Sequence, residues 1–431
     1  MVWNDVETAS RETVRELQDD RLRAVVEHVY ENVPFYRARL DEAGVSPGDV
    51  DGVGDVDRLP FTTKEDLRDT YPDGMFAVPD DAMRCIHASS GTTGKPKIVG
   101  YTRDDLNLWR EVMARSLTAA GVERGETVQN AYGYGLFTGG LGVHHGCDEL
   151  GATVVPIGGG QTSRQLQLLS DLGSETLTCT PSYALYLAER ADERGVDVRD
   201  LPLSTVIFGA EPCTEPMREA IEERLAVTGV DIYGLSEVIG PGVSIECAEA
   251  QDGLHLWDDH FYPEVIDPET GEVLEAGEEG ELVLTTLTKV GLPVLRYRTG
   301  DVTRLRFDEC ECGRTTARMD NVTGRADDLI IVRGVNLYPS EIEATVLDID
   351  GVEPQYRIDL HRAAELDEIE ITVERAADYD GDPEDLRERV QRALDAQLAF
   401  SPDAVRVVEP GSIERQETGK VKRVYDHRTT G

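Results

Sequence analysis

The segment HASSGTTGKPK, residues 87 to 97, combines hydroxyl residues, glycines and lysines in a pattern suited to binding polyphosphate. Gly91 and Gly94 allow backbone N–H groups to approach an anion closely, and Lys95 adds a mobile positive charge. Hydroxyl donors are supplied by Ser89, Ser90, Thr92 and Thr93. We therefore predict a nucleotide-binding loop here, although flexible surface loops share this composition.

The loop does not follow the Walker pattern. Two residues separate Gly91 from Gly94, and Pro96 follows Lys95 where a Walker loop has Ser or Thr. The identity of the nucleotide chemistry therefore depends on the other motifs of the chain.

Four further motifs follow in order: YGLSE (233–237), YRTGD (297–301), GRADDLIIVRGVNLYPSEIE (324–343) and ETGKVKR (417–423). Together with the loop they resemble the adenylate-forming superfamily of acyl-CoA synthetases and adenylation domains. Four more segments resemble one family of this superfamily, the phenylacetate-CoA ligases. They are YENVPFYRARL (30–40), AYGYGLFTGGLG (131–142), GAEP (209–212) and GLHLWDDHFYPEVIDPETGE (253–272). The resemblance runs nearly end to end, so chance matching is a poor explanation.

The resemblance implies an α/β protein of two domains. Residues 1–325 would form a large AMP-binding domain with parallel and mixed sheets, and residues 326–431 a small, mobile α+β ligase domain. Asp327 matches the hinge about which the small domain rotates between two half-reactions.

The implied enzyme is an ATP-dependent acid-CoA ligase, with phenylacetate as the expected acid. The acid attacks the α-phosphorus of ATP to give an acyl adenylate and diphosphate, and CoA then gives the thioester and AMP. By resemblance Lys420 and the phosphate loop with Lys95 stabilise the charge, and Lys422 is the fallback for Lys420. Glu237 would coordinate Mg²⁺, which prefers oxygen ligands.

The resemblance places the other nucleotide contacts in three motifs: Gly209, Ala210, Glu211 and Pro212; Tyr233, Gly234 and Ser236; Asp301 and Arg325. Tyr233 would lie against the adenine, and Asp301 would accept hydrogen bonds from the ribose hydroxyls. Core packing of Tyr233 and a structural Asp–Arg pair are the alternative interpretations.

The acid pocket is expected at Tyr132, Phe137, Ile239 and Pro241. Two aromatic side chains in AYGYGLFTGG would hold an aryl ring between them, unless they are simply core residues. His144 and His145 stand where relatives tend to carry an aromatic after the histidine, which leaves the shape of the pocket open.

Four residues are candidates for a structural zinc site: Cys247, His255, Cys310 and Cys312. Cys310 and Cys312 form a C-x-C turn, and thiolates with imidazole suit tetrahedral zinc. His255 is preferred over His260 because it is closer in sequence to Cys247. Buried free cysteines are the alternative.

The formal net charge of −41 argues against nucleic acid and anionic membranes as partners. Only six lysines accompany 37 arginines, and the acidic residues are spread along the chain. We interpret this as adaptation to a salt-rich cytoplasm, the alternative being an ordinary acidic enzyme. The absence of a secretory leader and of a long apolar run predicts a cytoplasmic protein, and the resemblance favours a homodimer weakly.

The helices and strands that position these residues are indicated by the spacing of apolar residues along the chain. Residues 1–60 predict mostly helix, and from the phosphate loop onward short apolar runs alternate with helical stretches, which predicts parallel βα units. Ligand loops should then lie at the carboxyl ends of strands. Beyond residue 265 the pattern becomes antiparallel, and the last hundred residues predict a compact α+β unit.

Four other functions remain open at this stage. They are adenylyl transfer to a deazaflavin cofactor, a CoA ligase for another aryl acid such as benzoate, a non-catalytic AMP-binding paralogue, and a domain that loads a carrier protein. Lys420 together with Glu237 disfavours the paralogue, and no carrier segment after Gly431 disfavours the last.

Overall fold

The structure is a computed structural model that describes residues 1–88, 95–326, 330–332, 335–363, 366–398, 401–416 and 421–428. Several predicted site residues lie outside these ranges, namely Ser89, Ser90, Gly91, Thr92, Thr93, Gly94, Asp327 and Lys420. Their assigned roles therefore stay predictions.

The helices of the described chain are α1 Arg11–Asn32, α2 Pro34–Ala43, α3 Lys64–Asp69, α4 Arg103–Ala119, α5 Gly139–Leu150, α6 Thr162–Leu172, α7 Pro181–Glu193, α8 Glu215–Leu225, α9 Pro339–Leu347 and α10 Pro383–Gln397. Helix α1 begins where the Ser10 side chain accepts a hydrogen bond from the Thr13 backbone N–H. Its buried face carries Leu22, Val25, Val26 and Val29. No helix within the described ranges has both the length and the apolar character needed to cross a bilayer.

The strands are β1 Cys85–Ala88, β2 Ile98–Tyr101, β3 Thr127–Asn130, β4 Thr153–Val155, β5 Thr176–Cys179, β6 Thr205–Gly209, β7 Thr228–Leu235, β8 Gly240–Glu246, β9 Leu254–Leu256, β10 Phe261–Ile266, β11 Gly280–Thr286, β12 Tyr297–Thr303, β13 Leu305–Arg306, β14 Arg318–Met319, β15 Gly324–Arg325, β16 Ile330–Val332, β17 Val335–Leu337, β18 Val352–Ala363, β19 Leu366–Arg375, β20 Ala404–Val408 and β21 Val424–Asp426.

The largest sheet has nine strands in the order β13-β14-β9-β8-β7-β6-β5-β3-β4. Strands β4, β3, β5, β6 and β7 are parallel, whereas β8, β9, β14 and β13 continue the sheet antiparallel. Along β6, Val206 and Phe208 belong to one hydrophobic core and Ile207 to another. Because alternate residues of a strand face opposite sides, the sheet is covered on both faces. The predicted α/β fold class is confirmed.

The antiparallel region beyond residue 265 is also confirmed. Strands β10, β11, β12 and β15 form a four-stranded antiparallel sheet, in which Asp301 of β12 is paired with Arg325 of β15. This register brings two predicted nucleotide-binding residues together from motifs that lie 24 positions apart in sequence.

The C-terminal region has its own sheet, in the order β20-β19-β18-β21, and its own hydrophobic core. Ile358, Ile371 and Leu394 are fully buried there, with α9 and α10 packed against the sheet. Helix α9 also contacts α8 of the large domain. The small α+β domain therefore rests against the helices that flank the parallel sheet.

Candidate functional site

Two motifs, GAEP and YGLSE, meet at the carboxyl edge of the parallel sheet. Gly209 ends β6 and is paired with Ile232 of β7. A Cβ atom on Gly209 would lie 2.1 Å from the Ile232 carbonyl oxygen, so only glycine fits at this position. Ala210 follows in a left-handed conformation, with φ at +70°, which costs a non-glycine residue energy and is typical of functional turns. The structure thus places these motifs at the carboxyl ends of β6 and β7, where the sequence predicted ligand loops.

Asp301 is the centre of a polar cluster beside these loops. Its Oδ2 atom accepts a hydrogen bond of 2.6 Å from the Tyr233 hydroxyl, and its Oδ1 atom accepts one of 2.6 Å from Arg325 Nη1. Burial and the neighbouring Asp301 carboxylate raise the pKa of Tyr233 well above its ordinary value, so the hydroxyl stays a donor. Three residues predicted from separate motifs are therefore in direct contact.

Glu237 forms a second polar cluster on the same edge. Its carboxylate is buried, with 4 % of the residue exposed, and pairs with the Lys97 ammonium group. Lys289 Nζ donates a hydrogen bond of 3.1 Å to the Glu237 carbonyl oxygen. Burial lowers the pKa of Lys289 to about 8, while Asp105 and Glu237 oppose that shift. A buried carboxylate held by an ammonium group is well suited to exchange that group for another cation.

Lys97 is a residue that the motif reading passed over in favour of Lys95. Lys95 is exposed, with its Nζ atom 5.4 Å from the centre of the Tyr71 ring. Lys97 instead contacts Glu237. The scarcity of lysine could have directed attention to both lysines of GKPK, because each is one of only six in the chain.

Glu211 of GAEP connects the two domains. One carboxylate oxygen accepts a hydrogen bond of 2.6 Å from the Ser182 hydroxyl, and the other accepts one of 2.6 Å from the Val421 backbone N–H. Nearby, Arg415 forms ion pairs of 2.8 Å with Glu189 and 2.7 Å with Glu374. The described residues that flank the ETGK segment on both sides are thus attached to the large domain beside the predicted nucleotide site.

The predicted acid-pocket residues have different environments. Tyr132 is buried, and its hydroxyl donates hydrogen bonds of 2.5 Å to the Cys179 carbonyl and 3.4 Å to the Gly209 carbonyl. Phe137 is 39 % exposed, whereas Ile239 is fully buried. Tyr132 therefore anchors the ends of β5 and β6, and Phe137 lies open to a ligand.

Trp109 is a pocket-region residue that the sequence did not single out. Its indole N–H donates a hydrogen bond of 3.0 Å to the Pro241 carbonyl, and its ring stacks on Tyr101 at 5.0 Å. His145 contacts the same ring edge to face at 5.6 Å, and burial lowers the pKa of His145 to about 4. Trp109 is fully buried within this group of rings, and its position in α4 gave no motif signal.

The four predicted zinc ligands converge. Cys247, His255, Cys310 and Cys312 each place a ligand atom within 4.8 Å of all the others. The Cys247 and Cys310 sulfur atoms are 3.8 Å apart, and the Cys312 sulfur lies 3.4 Å from His255 Nε2. Tetrahedral zinc with bonds of about 2.3 Å to sulfur and about 2.0 Å to nitrogen requires separations of about 3.8 Å and about 3.5 Å. The side chains therefore fit the ion.

The surroundings of the cluster support the same interpretation. His255 Nδ1 lies 3.0 Å from the Thr316 hydroxyl, which leaves Nε2 to face the sulfur atoms. Arg314 donates to the Cys312 sulfur at 3.5 Å and to buried Glu7 at 2.8 Å. His260 lies elsewhere, with its Nδ1 2.8 Å from the Thr288 hydroxyl, so the choice of His255 over His260 agrees with the structure.

Comparison with known families gives two matches. The AMP-binding enzyme family matches residues 6–287, and the AMP-binding enzyme C-terminal domain matches residues 334–428. A phenylacetate-coenzyme A ligase of Thermus thermophilus is 50 % identical over 99 % of this chain and 100 % of that protein. The phenylacetate-coenzyme A ligase of Escherichia coli is 47 % identical over 98 % and 97 %, respectively.

Among solved structures, 2-hydroxyisobutyryl-CoA ligase is similar in two states. Its postadenylation state in complex with R3-HIB-AMP gives a TM-score of 0.92 at 30 % identity, covering 98 % of this chain and 92 % of that one. Its thioesterification state with 2-HIB-AMP and CoA gives a TM-score of 0.72 with the same identity and coverage. The domain arrangement of the present chain is thus closer to the postadenylation state.

Proposed function

The chain belongs to the phenylacetate-CoA ligase family of AMP-binding enzymes, and from this membership we propose that it converts phenylacetate, ATP and CoA to phenylacetyl-CoA, AMP and diphosphate. Enzymes of this type are AMP-forming acid-CoA ligases, with ATP and CoA as substrates. The observation that supports the proposal most is the assembly of GAEP, YGLSE, YRTGD and Val421 beside the carboxyl ends of β6 and β7.

In the first half-reaction the acid carboxylate attacks the α-phosphorus of ATP, and diphosphate leaves. We assign Asp301 to the ribose hydroxyls, since its two oxygens are already arranged by Tyr233 and Arg325. Lys420 would meet the developing charge at the α-phosphate, which is supported by the attachment of neighbouring Val421 to Glu211.

The phosphate loop, Ser89 to Gly94, would hold the β- and γ-phosphates with a lysine. Lys97 is better placed for this than Lys95, because it already reaches the Glu237 carboxylate. Glu237 would hold Mg²⁺, which would supply positive charge to the triphosphate. The Lys97 ammonium would bind phosphate when it is not paired with Glu237.

In the second half-reaction the CoA thiol attacks the acyl carbon and AMP leaves. We propose that the small domain, residues 326–431, rotates about Asp327 and withdraws Lys420. This rotation would break three contacts between the domains: Val421 with Glu211, Arg415 with Glu189, and Thr214 with Glu343. The higher similarity to a postadenylation structure supports this assignment of the observed arrangement.

For the acid pocket we propose a site at Phe137 and Pro241, with the fully buried Trp109 packed behind Pro241. An exposed aromatic ring such as that of Phe137 favours an aryl acid over an aliphatic one. Tyr132 would hold the ends of β5 and β6 beside this site, and the buried Ile239 would pack behind it. The relatives that the chain matches favour this reaction over deazaflavin adenylylation and over benzoate activation.

We also propose a structural zinc ion bound by Cys247, His255, Cys310 and Cys312. The ligands come from the end of β8, from β9 and from the turn between β13 and β14, so the ion would fasten three antiparallel strands at the sheet edge. The proposed zinc ion would take no part in adenylation, because that reaction is assigned to the polar clusters around Asp301 and Glu237.

The proposed function is tested by diphosphate release from purified protein with ATP, Mg²⁺ and a panel of aryl and alkyl acids in molar KCl, with and without CoA. We expect phenylacetate-dependent release and, when CoA is present, phenylacetyl-CoA. Release with benzoate at a higher kcat/KM would reassign the acid. No release with any acid, or release without a thioester, would overturn the ligase assignment.

A further inference from the structure

A cavity of about 370 Å³ lies between the first turn of α6 and the second half of α7. Arg164, Arg190 and Arg194 line it together with the hydroxyls of Thr162 and Ser163. Nothing in the adenylation chemistry uses this cavity, because ATP is accounted for at Asp301 and Glu237.

The charge of the cavity is opposite to that of the chain. It is lined by three guanidinium groups and a single carboxylate, Glu193, in a protein with a net charge of −41. Glu193 pairs with Arg190. Arg194 donates to the Ser163 hydroxyl, and Arg164 reaches only the Gln161 side chain, at 3.5 Å. Within the described ranges neither Arg164 nor Arg194 pairs with a carboxylate, so both charges remain available to an anion.

The backbone of α6 adds donors to the same wall. Gln161 precedes the helix in a left-handed conformation, with φ at +54°, and no side chain caps the first turn. The first N–H groups of a helix attract anions, although here the Arg164 N–H already donates to the Gln161 carbonyl at 2.7 Å. Guanidinium groups, hydroxyls and helix N–H groups together are the donors that bind phosphate esters.

The backbone segment just before α6 connects the cavity region with the proposed acid site. Gly158, just before α6, donates its N–H to the Asn130 carbonyl at 3.0 Å, and Asn130 Nδ2 donates to the Tyr134 hydroxyl at 2.9 Å. Tyr134 belongs to the AYGYGLFTGG segment. Hydrogen bonds therefore connect the segment that leads into α6 with the loop that carries the proposed acid pocket.

The helix α7 that lines the cavity also contacts the small domain. Glu189, one residue before Arg190 on α7, is the large-domain partner of Arg415. Rotation of the small domain would break this ion pair and open the α7 side of the boundary. A substrate that enters after adenylation would pass here.

We propose that this cavity binds the phosphate-bearing nucleotide end of CoA while the thiol arm reaches the acyl adenylate. The proposal rests on the ligase function. CoA carries a diphosphate and a 3′-phosphate, and a strongly acidic protein repels such a ligand unless local positive charge attracts it. The arginines of the cavity supply that charge on the route to the acid pocket.

The test is the double variant Arg164→Ala/Arg194→Ala, measured in two assays. We expect the KM for CoA in thioester formation to rise about tenfold or more, since two charge-assisted contacts are lost. Phenylacetate-dependent exchange of labelled diphosphate into ATP, which needs no CoA, should stay unchanged. The matched control Arg23→Ala/Arg58→Ala removes two exposed arginines of the large domain and should change neither quantity.

A second arm identifies the group that is bound. Dephospho-CoA, which lacks the 3′-phosphate, should be used less well than CoA by the natural protein, and the preference should shrink in the cavity variant. An unchanged KM for CoA would overturn the proposal, and so would an equal loss of diphosphate exchange, which would mark a folding or ATP effect. If the natural protein shows no exchange with any acid, the ligase function itself fails, and this outcome is separate from the first two.

Discussion

The Cys/His cluster and the proposed nucleotide site are two polar centres of one large domain, and they are built differently. The cluster draws its four side chains from adjacent antiparallel strands and their turns. The proposed nucleotide site draws on the ends of β6 and β7, on β12 and on a small domain that attaches through polar contacts.

The difference separates stability from catalysis. A centre whose ligands lie on neighbouring strands can be complete in every state of the protein, and it contributes to stability. If the small domain rotates as proposed, a centre that shares contacts with it is complete in one state only, and two reactions can use one site. Changes at the first should therefore affect unfolding, and changes at the second should affect rates.

The largest effect is expected from Lys420→Ala. Loss of a charge at the α-phosphate should reduce phenylacetate-dependent diphosphate release about a thousandfold, equivalent to ~4 kcal/mol of transition-state stabilisation. Thioester formation from preformed phenylacetyl-AMP should be nearly unchanged. The control is Lys422→Ala, whose ammonium lies 4.7 Å from the centre of the Tyr425 ring. An equal loss in both half-reactions would contradict a state-dependent site.

Cys312→Ser tests the opposite centre. Losing one zinc ligand should lower the free energy of unfolding by about 3 kcal/mol and remove bound zinc, while the rate per folded molecule stays close to that of the natural protein. Zinc content by mass spectrometry and denaturant unfolding are the measurements. Cys85→Ser, outside the cluster, should keep its zinc. If the natural protein purified in the presence of zinc contains none, the zinc proposal is wrong.

A comparison of Lys97→Ala with Lys95→Ala shows which of the two lysines contributes more to ATP binding at the proposed nucleotide site. Because Lys97 contacts Glu237 and Lys95 lies exposed over Tyr71, the first change should lower kcat/KM for ATP about 30-fold and the second only a few-fold. Diphosphate release at varied ATP measures both. A larger loss for Lys95→Ala would restore the original assignment.

Asp301→Asn should act on ATP binding alone. The amide keeps the size of the side chain but weakens the acceptance of hydrogen bonds from Tyr233 and from ribose, so KM for ATP should rise about tenfold. KM for phenylacetate, measured at saturating ATP, should change little. A comparable rise in both would indicate that Asp301 holds the fold rather than the nucleotide.

The smallest effect concerns pH. The Lys289 pKa is about 8 in the folded protein, below its ordinary 10.5, so the unfolded chain binds more protons between these values and stability rises with pH across that window. Below pH 8 the cost of burying the charge is fully present. In Lys289→Met the rise should be smaller by about 1 kcal/mol between pH 7.5 and 9.5. Identical denaturant midpoints against pH for both proteins would contradict this.

The sequence predicted the fold well because its signals are local and repeated. Alternating apolar runs and helical stretches indicated the parallel sheet, and turn-rich segments indicated the antiparallel one, as β3 to β7 and β10 to β12 show. The Cys/His cluster was also predictable, since the chemistry of four rare side chains restricts their partners.

The contacts that the sequence did not reveal depend on how segments far apart in the chain pack together. Trp109 reaches Pro241 only because α4 packs on β8, and no motif contains it. Lys97 and Lys95 look alike in GKPK until the strand that follows directs one of them toward Glu237. The link from Glu211 to Val421 spans 210 positions, and it exists only when the domains meet.

That shared carboxylate of Glu211 has a thermodynamic consequence. One oxygen belongs to the large domain through Ser182, and the other holds the small domain through Val421. A ligand that reorients the 209–212 turn changes the free energy of domain closure, and reciprocity requires closure to change the affinity for that ligand by the same factor. With nucleotide bound at this turn as proposed, its occupancy and the domain position would form one linked equilibrium, and each partial reaction would set the population of conformers available to the next.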